Sequence, residues 1–153
     1  MISMSALIDA RCNDALLGES GPYVICGPAA LNRVGLSSFL TEEVIAWTDV
    51  VGINGIHTGV SCFYFNPCID YIHDVKPSIA HSKILEPTRE RALAEYIWLR
   101  EYFDEGILIE GLKNYMWLSD DDLSKLYAVA PRYHCTHEML DYWIEEARND
   151  YDD

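Results

Sequence analysis

The densest group of ligand-type side chains is His134-Cys135-Thr136-His137, where two histidines three apart could face one metal ion from a helix. Zinc needs three or four donors, and no second paired group supports this one; Cys62, Cys68, His73 and His81 could join it only through the fold. The simpler expectation makes the thiols small core residues and the imidazoles polar ends of elements. A nucleophilic site would hold Cys or Ser beside His. No Gly-x-Ser-x-Gly elbow occurs, and Gly52, Gly55 and Gly59 lack the phosphate-loop spacing and its closing Lys-Ser/Thr. Asp120-Asp121-Asp122 places acids in direct succession, whereas hard-cation loops space them by two, so the run reads as a solvated helix start. These residues assign no catalytic group, metal or cofactor, and the chain is expected to be a binding protein rather than an enzyme.

The aromatic inventory offers more. Trp47, Trp98, Trp117 and Trp143 stand with ten tyrosines, and Trp98 and Tyr102 fall on a different flank from Leu93 and Ile97. Aromatics amid acids suit a protein-binding surface, where a ring fills a pocket and carboxylates select a basic partner. The competing expectation is a satellite core between helices, because tryptophan is highly buried on average. The C-terminal helices bring together Glu110, Trp117, Asp141, Tyr142, Glu145 and Glu146, which we take as the expected partner-binding residues.

Composition bounds the class of partner. The 153 residues fit one domain, and half are hydrophobic, enough for a packed core. Twenty-five acids face 11 bases, for a net charge of −14. A direct nucleic-acid binder or a protein of anionic membrane surfaces would need a basic footprint instead. Residues 1–100 hold 11 acids and 7 bases, and residues 101–153 hold 14 and 4, so the C-terminal third is the negative pole. Such a pole can steer a basic partner or keep the protein soluble. Five cysteines at irregular spacings, with no CxxC, fit reduced thiols, and Met1–Leu17 carries Asp9, Arg11 and Asp14 without a basic start. No run reaches the length of a membrane span, and a cytoplasmic location is expected.

The elements that must position these residues divide the chain in two. Before residue 86 the pattern is mixed: a helix over 5–17, a strand at Tyr23–Cys26, a helix opened by Gly27-Pro28 and closed at Gly35, and strands at 44–47, 50–53 and 60–65. Asn54-Gly55 reads as a hairpin turn, Asn66-Pro67 as a strand end, and 78–85 as extended. From Pro87 the period becomes helical. Leu93, Tyr96, Ile97 and Phe103 line one face of a helix that starts near Thr88, and a second runs from Asp104 through Tyr115. A third runs from Asp121 or Asp122 to Ala130 and stops at Pro131, and a fourth starts at Thr136 and buries Met139, Leu140, Trp143 and Ala147. The expectation is an α+β fold in a single domain over 1–153: a small mixed sheet with short helices over 1–86, and a helical part over 87–153 packed on it.

Two of these stretches, with the β-rich segment between them, resemble the AbiEi-like antitoxins of AbiE-type (type IV) toxin–antitoxin systems. Tyr23-Val24-Ile25-Cys26-Gly27-Pro28-Ala29-Ala30-Leu31-Asn32-Arg33-Val34-Gly35-Leu36 is similar to that family's strand, small-residue turn, Ala-Leu helix and closing Gly-Leu. Ile84-Leu85-Glu86-Pro87-Thr88-Arg89-Glu90-Arg91-Ala92-Leu93 resembles its strand followed by a Pro-x-Arg-type helix start, and Val44–Phe65 sits where the family has its sheet. The resemblance spans most of residues 20–103 through short, degenerate motifs. It implies a non-enzymatic protein that neutralises a nucleotidyltransferase-like toxin. The family's N-terminal winged helix-turn-helix is not expected here, because too few residues precede Tyr23, and the acid balance argues separately against DNA binding.

Three readings follow. The first is a cytoplasmic antitoxin-like protein that neutralises or regulates a partner protein, with no cofactor. The alternative is an acidic phage or mobile-element inhibitor, an anti-CRISPR-like DNA mimic whose helical carboxylates imitate phosphates before a basic, nucleic-acid-binding target. The third is an enzyme with a Cys–His or metal centre.

Overall fold

In a computed structural model, residues 23–40, 44–48, 55–57, 62–65, 73–77 and 84–150 are described. The expected helix over 5–17, strand at 50–53, strand end at 66–67 and all but the last two residues of the extended stretch over 78–85 lie outside them. Tyr23–Cys26 (β1) is the strand its apolar run predicts, and Gly27–Arg33 (α1) follows without a loop. Gly27 makes that turn at φ +71°, a conformation strained for other residues, and Pro28 occupies the first helical turn, where its missing N–H costs nothing.

Val44–Thr48 (β2), Gly55–His57 (β3), Cys62–Phe65 (β4), Val75–Pro77 (β5) and Ile84–Pro87 (β6) complete a six-stranded sheet of order β3-β4-β2-β1-β6-β5. β1 is antiparallel to β2, with Val24 opposite Trp47, and parallel to β6, with Val24 opposite Leu85. β2 and β4 are parallel, whereas β3–β4 and β5–β6 are antiparallel. Gly55 is therefore not a hairpin-turn residue as expected: it opens β3 and pairs with Tyr64. The local turn signal loses to the antiparallel pairing of β3 with β4, which gives Gly55 a place in the ladder. β5 was not expected, being three residues long and too short to show alternation. β1 is buried on both faces: Ile25 joins the main core, while Val24 and Cys26 pack with Val75, Leu85, Trp98, Leu99 and Phe103.

From Arg89 to Arg148 helices dominate: Arg89–Trp98 (α2), a 3₁₀ turn at Arg100–Tyr102, Glu105–Leu118 (α3), Ser124–Val129 (α4), a 3₁₀ turn at Ala130–Tyr133, and His137–Arg148 (α5). The molecule is thus α+β. Side-chain caps sit at three helix starts: Thr88 accepts from the Arg91 amide, Asp104 from Ile107 and Thr136 from Met139. α2 ends before Phe103, which does not extend the helix as expected but packs back on Tyr96 from beyond the turn, with ring centroids 4.9 Å apart. α4 starts later than its acids suggest, because Asp120 and Asp121 take left-handed φ values of +53° and +63°. Asp122 instead accepts from the Ser124 amide and hydroxyl, bonds that lower its carboxyl pKa. The α-helix ends at Val129, just ahead of Pro131 as expected, and Pro131 sits in the first turn of the 3₁₀ segment that follows.

α2 is the spine. It touches α1, α3, α4, α5, the second 3₁₀ turn, β1 and β6, and every residue from Glu90 to Ile97 is buried. The expected single apolar face understates this. Gly111 lets α3 approach: a Cβ there would stand 3.3 Å from Leu93 and 3.4 Å from Leu31, tighter than ordinary packing. One apolar cluster runs from Ile25 of the sheet through Leu31, Leu93 and Leu108 to Leu140 and Ala147.

Burial on all sides forces α2 to bury charge as well. Arg91 Nε donates to Glu95 at 3.0 Å with neither side chain exposed, and Arg91 Nη1 donates to the His73 carbonyl at 2.8 Å. The guanidinium lies 4.6 Å over the Tyr133 ring, whose hydroxyl donates to Asp74 at 2.6 Å. One residue before the pair, Glu90 accepts from the Tyr115 hydroxyl at 2.7 Å. These bonds tie β5 and α3 to the spine. Among the described residues no helix is long and apolar enough to cross a membrane.

Candidate partner-binding face

α5 buries Leu140, Trp143, Ile144 and Ala147 against the core, which turns Asp141, Tyr142, Glu145 and Glu146 outward. Asp141/Glu145 and Tyr142/Glu146 are spaced four apart and so stack along the exposed face. Tyr142 is 56% exposed and meets buried Trp143 edge-on, with centroids 5.2 Å apart, which fixes its ring direction. Asp141 accepts a short hydrogen bond from Tyr127. The Tyr127 phenol is pushed up to about 12, first by desolvation and then by that carboxylate. Glu145 accepts from Asn149 at 3.2 Å across one helical turn.

Between α3 and α5 lies an open groove of about 830 Å³. Glu105, Glu110, Glu146 and Asp150 line it, with Lys113 among them at 2.9 Å from Asp150. The structure therefore brings Glu110 and Glu146, predicted from separate helices, to one groove. Glu110 has a second duty, since it accepts from the Ser38 amide at 3.2 Å and the Ser38 hydroxyl at 3.0 Å, tying the segment after α1 to α3. Trp117 is 79% exposed in the last turn of α3 and does not line the groove. Of the other tryptophans, Trp98 stacks on His134 at 4.4 Å, and the side chain of Trp47 lies outside the described residues.

The sequence reading passed over Phe39 and Leu40, 48% and 54% exposed, which follow the Ser38 that Glu110 holds. They add apolar surface beside an acidic groove. The available signal is the Phe-Leu pair after Ser37-Ser38, just past the glycine that ends α1, where no periodic pattern points to an element.

The His134–His137 stretch is spent on structure. His134 takes φ +62° at the end of the 3₁₀ turn, Cys135 is buried, Thr136 caps α5, and His137 Nε2 lies 3.0 Å from the Tyr127 carbonyl. Among the described residues no three His, Cys, Asp or Glu side chains converge on a metal-sized site. Burial pushes the Cys135 thiol up to about 12 against the opposing pull of Arg100. It raises Cys26 too, with Glu95 adding and Arg91 opposing. Both stay protonated at neutral pH and are weak nucleophiles there. No protein-family model matches the chain, and no curated protein matches it.

Proposed function

We propose that this chain is a non-enzymatic, antitoxin-like protein that binds a partner protein and neutralises or regulates it, the partner being a nucleotidyltransferase-like toxin. The observation that carries the reading is the outward face of α5 with the adjoining groove, where carboxylates flank exposed Tyr142. On such a surface the carboxylates steer a basic partner during approach, and a ring can anchor it by filling a pocket. Support also comes from the two stretches that resemble AbiEi-like antitoxins: each is a strand running into a helix, β1–α1 and β6–α2, and their strands are parallel neighbours.

The test is co-expression with the product of the adjacent gene, followed by gel filtration. Rescue of growth with a co-eluting complex is expected; a neighbour that stays toxic and elutes alone would sink the reading. Within a complex, Glu145→Lys with Glu146→Lys should slow association and flatten its salt dependence. Unchanged stopped-flow rates would remove α5 from the interface.

The acidic groove also favours a second reading, an inhibitor that imitates nucleic acid before a basic channel. It separates from the first by ionic strength: the complex would weaken steeply with salt, and duplex DNA would compete with it.

A further inference from the structure

On the side of the molecule where β6 passes into α2, a recess of about 620 Å³ is lined by Arg33, Lys76, Arg89 and Lys125, with Glu90 the single acid among the described residues of its wall. Four of the chain's 11 Lys and Arg residues thus converge on one recess in a protein with 25 acids. They arrive from four elements, α1, β5, α2 and α4, so tertiary folding rather than a basic run in the sequence assembles them.

Among the described residues, Glu86 and Glu90 stand near these cations; Arg33 is engaged beyond Glu86 as well, so the charge on offer is that of Arg89, Lys76 and Lys125. Glu86 is shared, 2.9 Å from Arg33 and 4.0 Å from Lys76. Glu90 lies 3.6 Å from Lys125 and already accepts from Tyr115. Arg89 has no carboxylate within ion-pair distance among the described residues; its Nε donates to the Val34 carbonyl at 2.9 Å, which fixes the guanidinium at the wall. Gly35 lines that wall because its left-handed backbone favours glycine, not because a side chain would not fit. It sits at φ +79°, and a Cβ there would stand 3.7 Å from Arg89 Nη2. The ten-residue α2 also begins here, so its positive end adds to the field.

We propose that this recess binds the phosphate group of a small phosphorylated molecule. A guanidinium held by its Nε and flanked by ammonium groups matches an oxyanion that carries more than one charge. The field of the whole chain decides the size of the occupant. A long polyanion would have to run beyond the recess, over a surface with net charge −14, whereas a compact anion is screened from that surface within about 8 Å at physiological salt. The volume falls within the usual range for small-molecule sites. This inference is independent of the partner-binding face, because none of the four cations lines the α3–α5 groove.

The test is calorimetric titration of the whole chain with inorganic pyrophosphate at physiological ionic strength, where the screening holds, repeated with AMP. Saturable one-to-one binding with Kd below about 1 mM is expected. Arg89→Gln and Lys125→Gln should each weaken it about tenfold. Lys113→Gln, in the other groove, should leave it unchanged. If Arg89→Gln lowers the melting temperature, Lys76→Gln carries the comparison, since that side chain is 66% exposed. Absence of saturation, or affinity indifferent to these substitutions, overturns the proposal. So does tighter binding of a poly-glutamate peptide or an oligonucleotide at the same residues.

Discussion

In α2, Glu90, Arg91 and Glu95 lie in the core, each held by a named partner; in α5, Glu138, Asp141, Glu145 and Glu146 all stand on the exposed face. Both helices carry acids at helical spacing, and burial separates them. A charge taken out of water is tolerated only where hydrogen bonds replace its hydration, so each buried charge in α2 dictates where a neighbour must sit. Arg91 places the His73 carbonyl and the Tyr133 ring, and Glu90 places Tyr115. The charges of α5 lose little hydration and dictate little. They can change at small cost to stability, which leaves them available for contact with another molecule.

Removal of Arg91 should sharpen this contrast most. Arg91→Ala leaves Glu95 charged in the core and takes a donor from the His73 carbonyl, and should cost about 3–5 kcal/mol by urea unfolding. A loss below about 1 kcal/mol would mean that water reaches the pair.

Alkaline pH attacks the same interior from another direction. Tyr96, Tyr115 and Tyr133 have raised pKa values, in each case first through desolvation, and carboxylates beside them add to it. A phenol whose folded pKa is raised keeps a proton that the unfolded chain releases, so its contribution is full below the unfolded value of about 10 and is lost as pH climbs above it. Absorbance titration at alkaline pH should therefore show these phenols ionising late, together with loss of the helical signal. Independent ionisation near pH 10 in a folded protein would contradict the burial described.

Tyr115→Phe isolates one bond. It leaves Glu90 buried without its hydroxyl donor and should cost about 1–3 kcal/mol, measured by thermal unfolding. On the opposite side of the comparison, Glu145→Lys with Glu146→Lys should shift stability by less than about 0.5 kcal/mol per site. A loss as large as that of Tyr115→Phe would show that the α5 face is structural after all.

Much of this architecture was legible in the chain. Gly27-Pro28 and Gly35 bracket α1, and Thr88, Asp104 and Thr136 mark three helix starts, because caps and backbone-permissive residues act within one turn of themselves. The outward arc of α5 was also readable, since its buried stripe leaves the acids only one direction. The misses share a different cause. Gly55 looked like a turn but pairs with Tyr64, and α2 looked one-sided but is buried all round. Gly55 is claimed by its partner on the next strand, and α2 by helices and strands distant in sequence, and in both cases pairing or packing overrules the local preference.

Among the site residues, the sequence alone determined which side chains of α5 face outward, because helical period and a single apolar stripe are local properties. Only the tertiary structure decided that Glu110 and Glu146 share a groove, that Ser38 claims Glu110, and that Arg33, Lys76, Arg89 and Lys125 meet at one recess. Such meetings depend on how α1, the sheet and α2 pack. That packing is set by the summed burial of many side chains, and no single stretch of sequence encodes it.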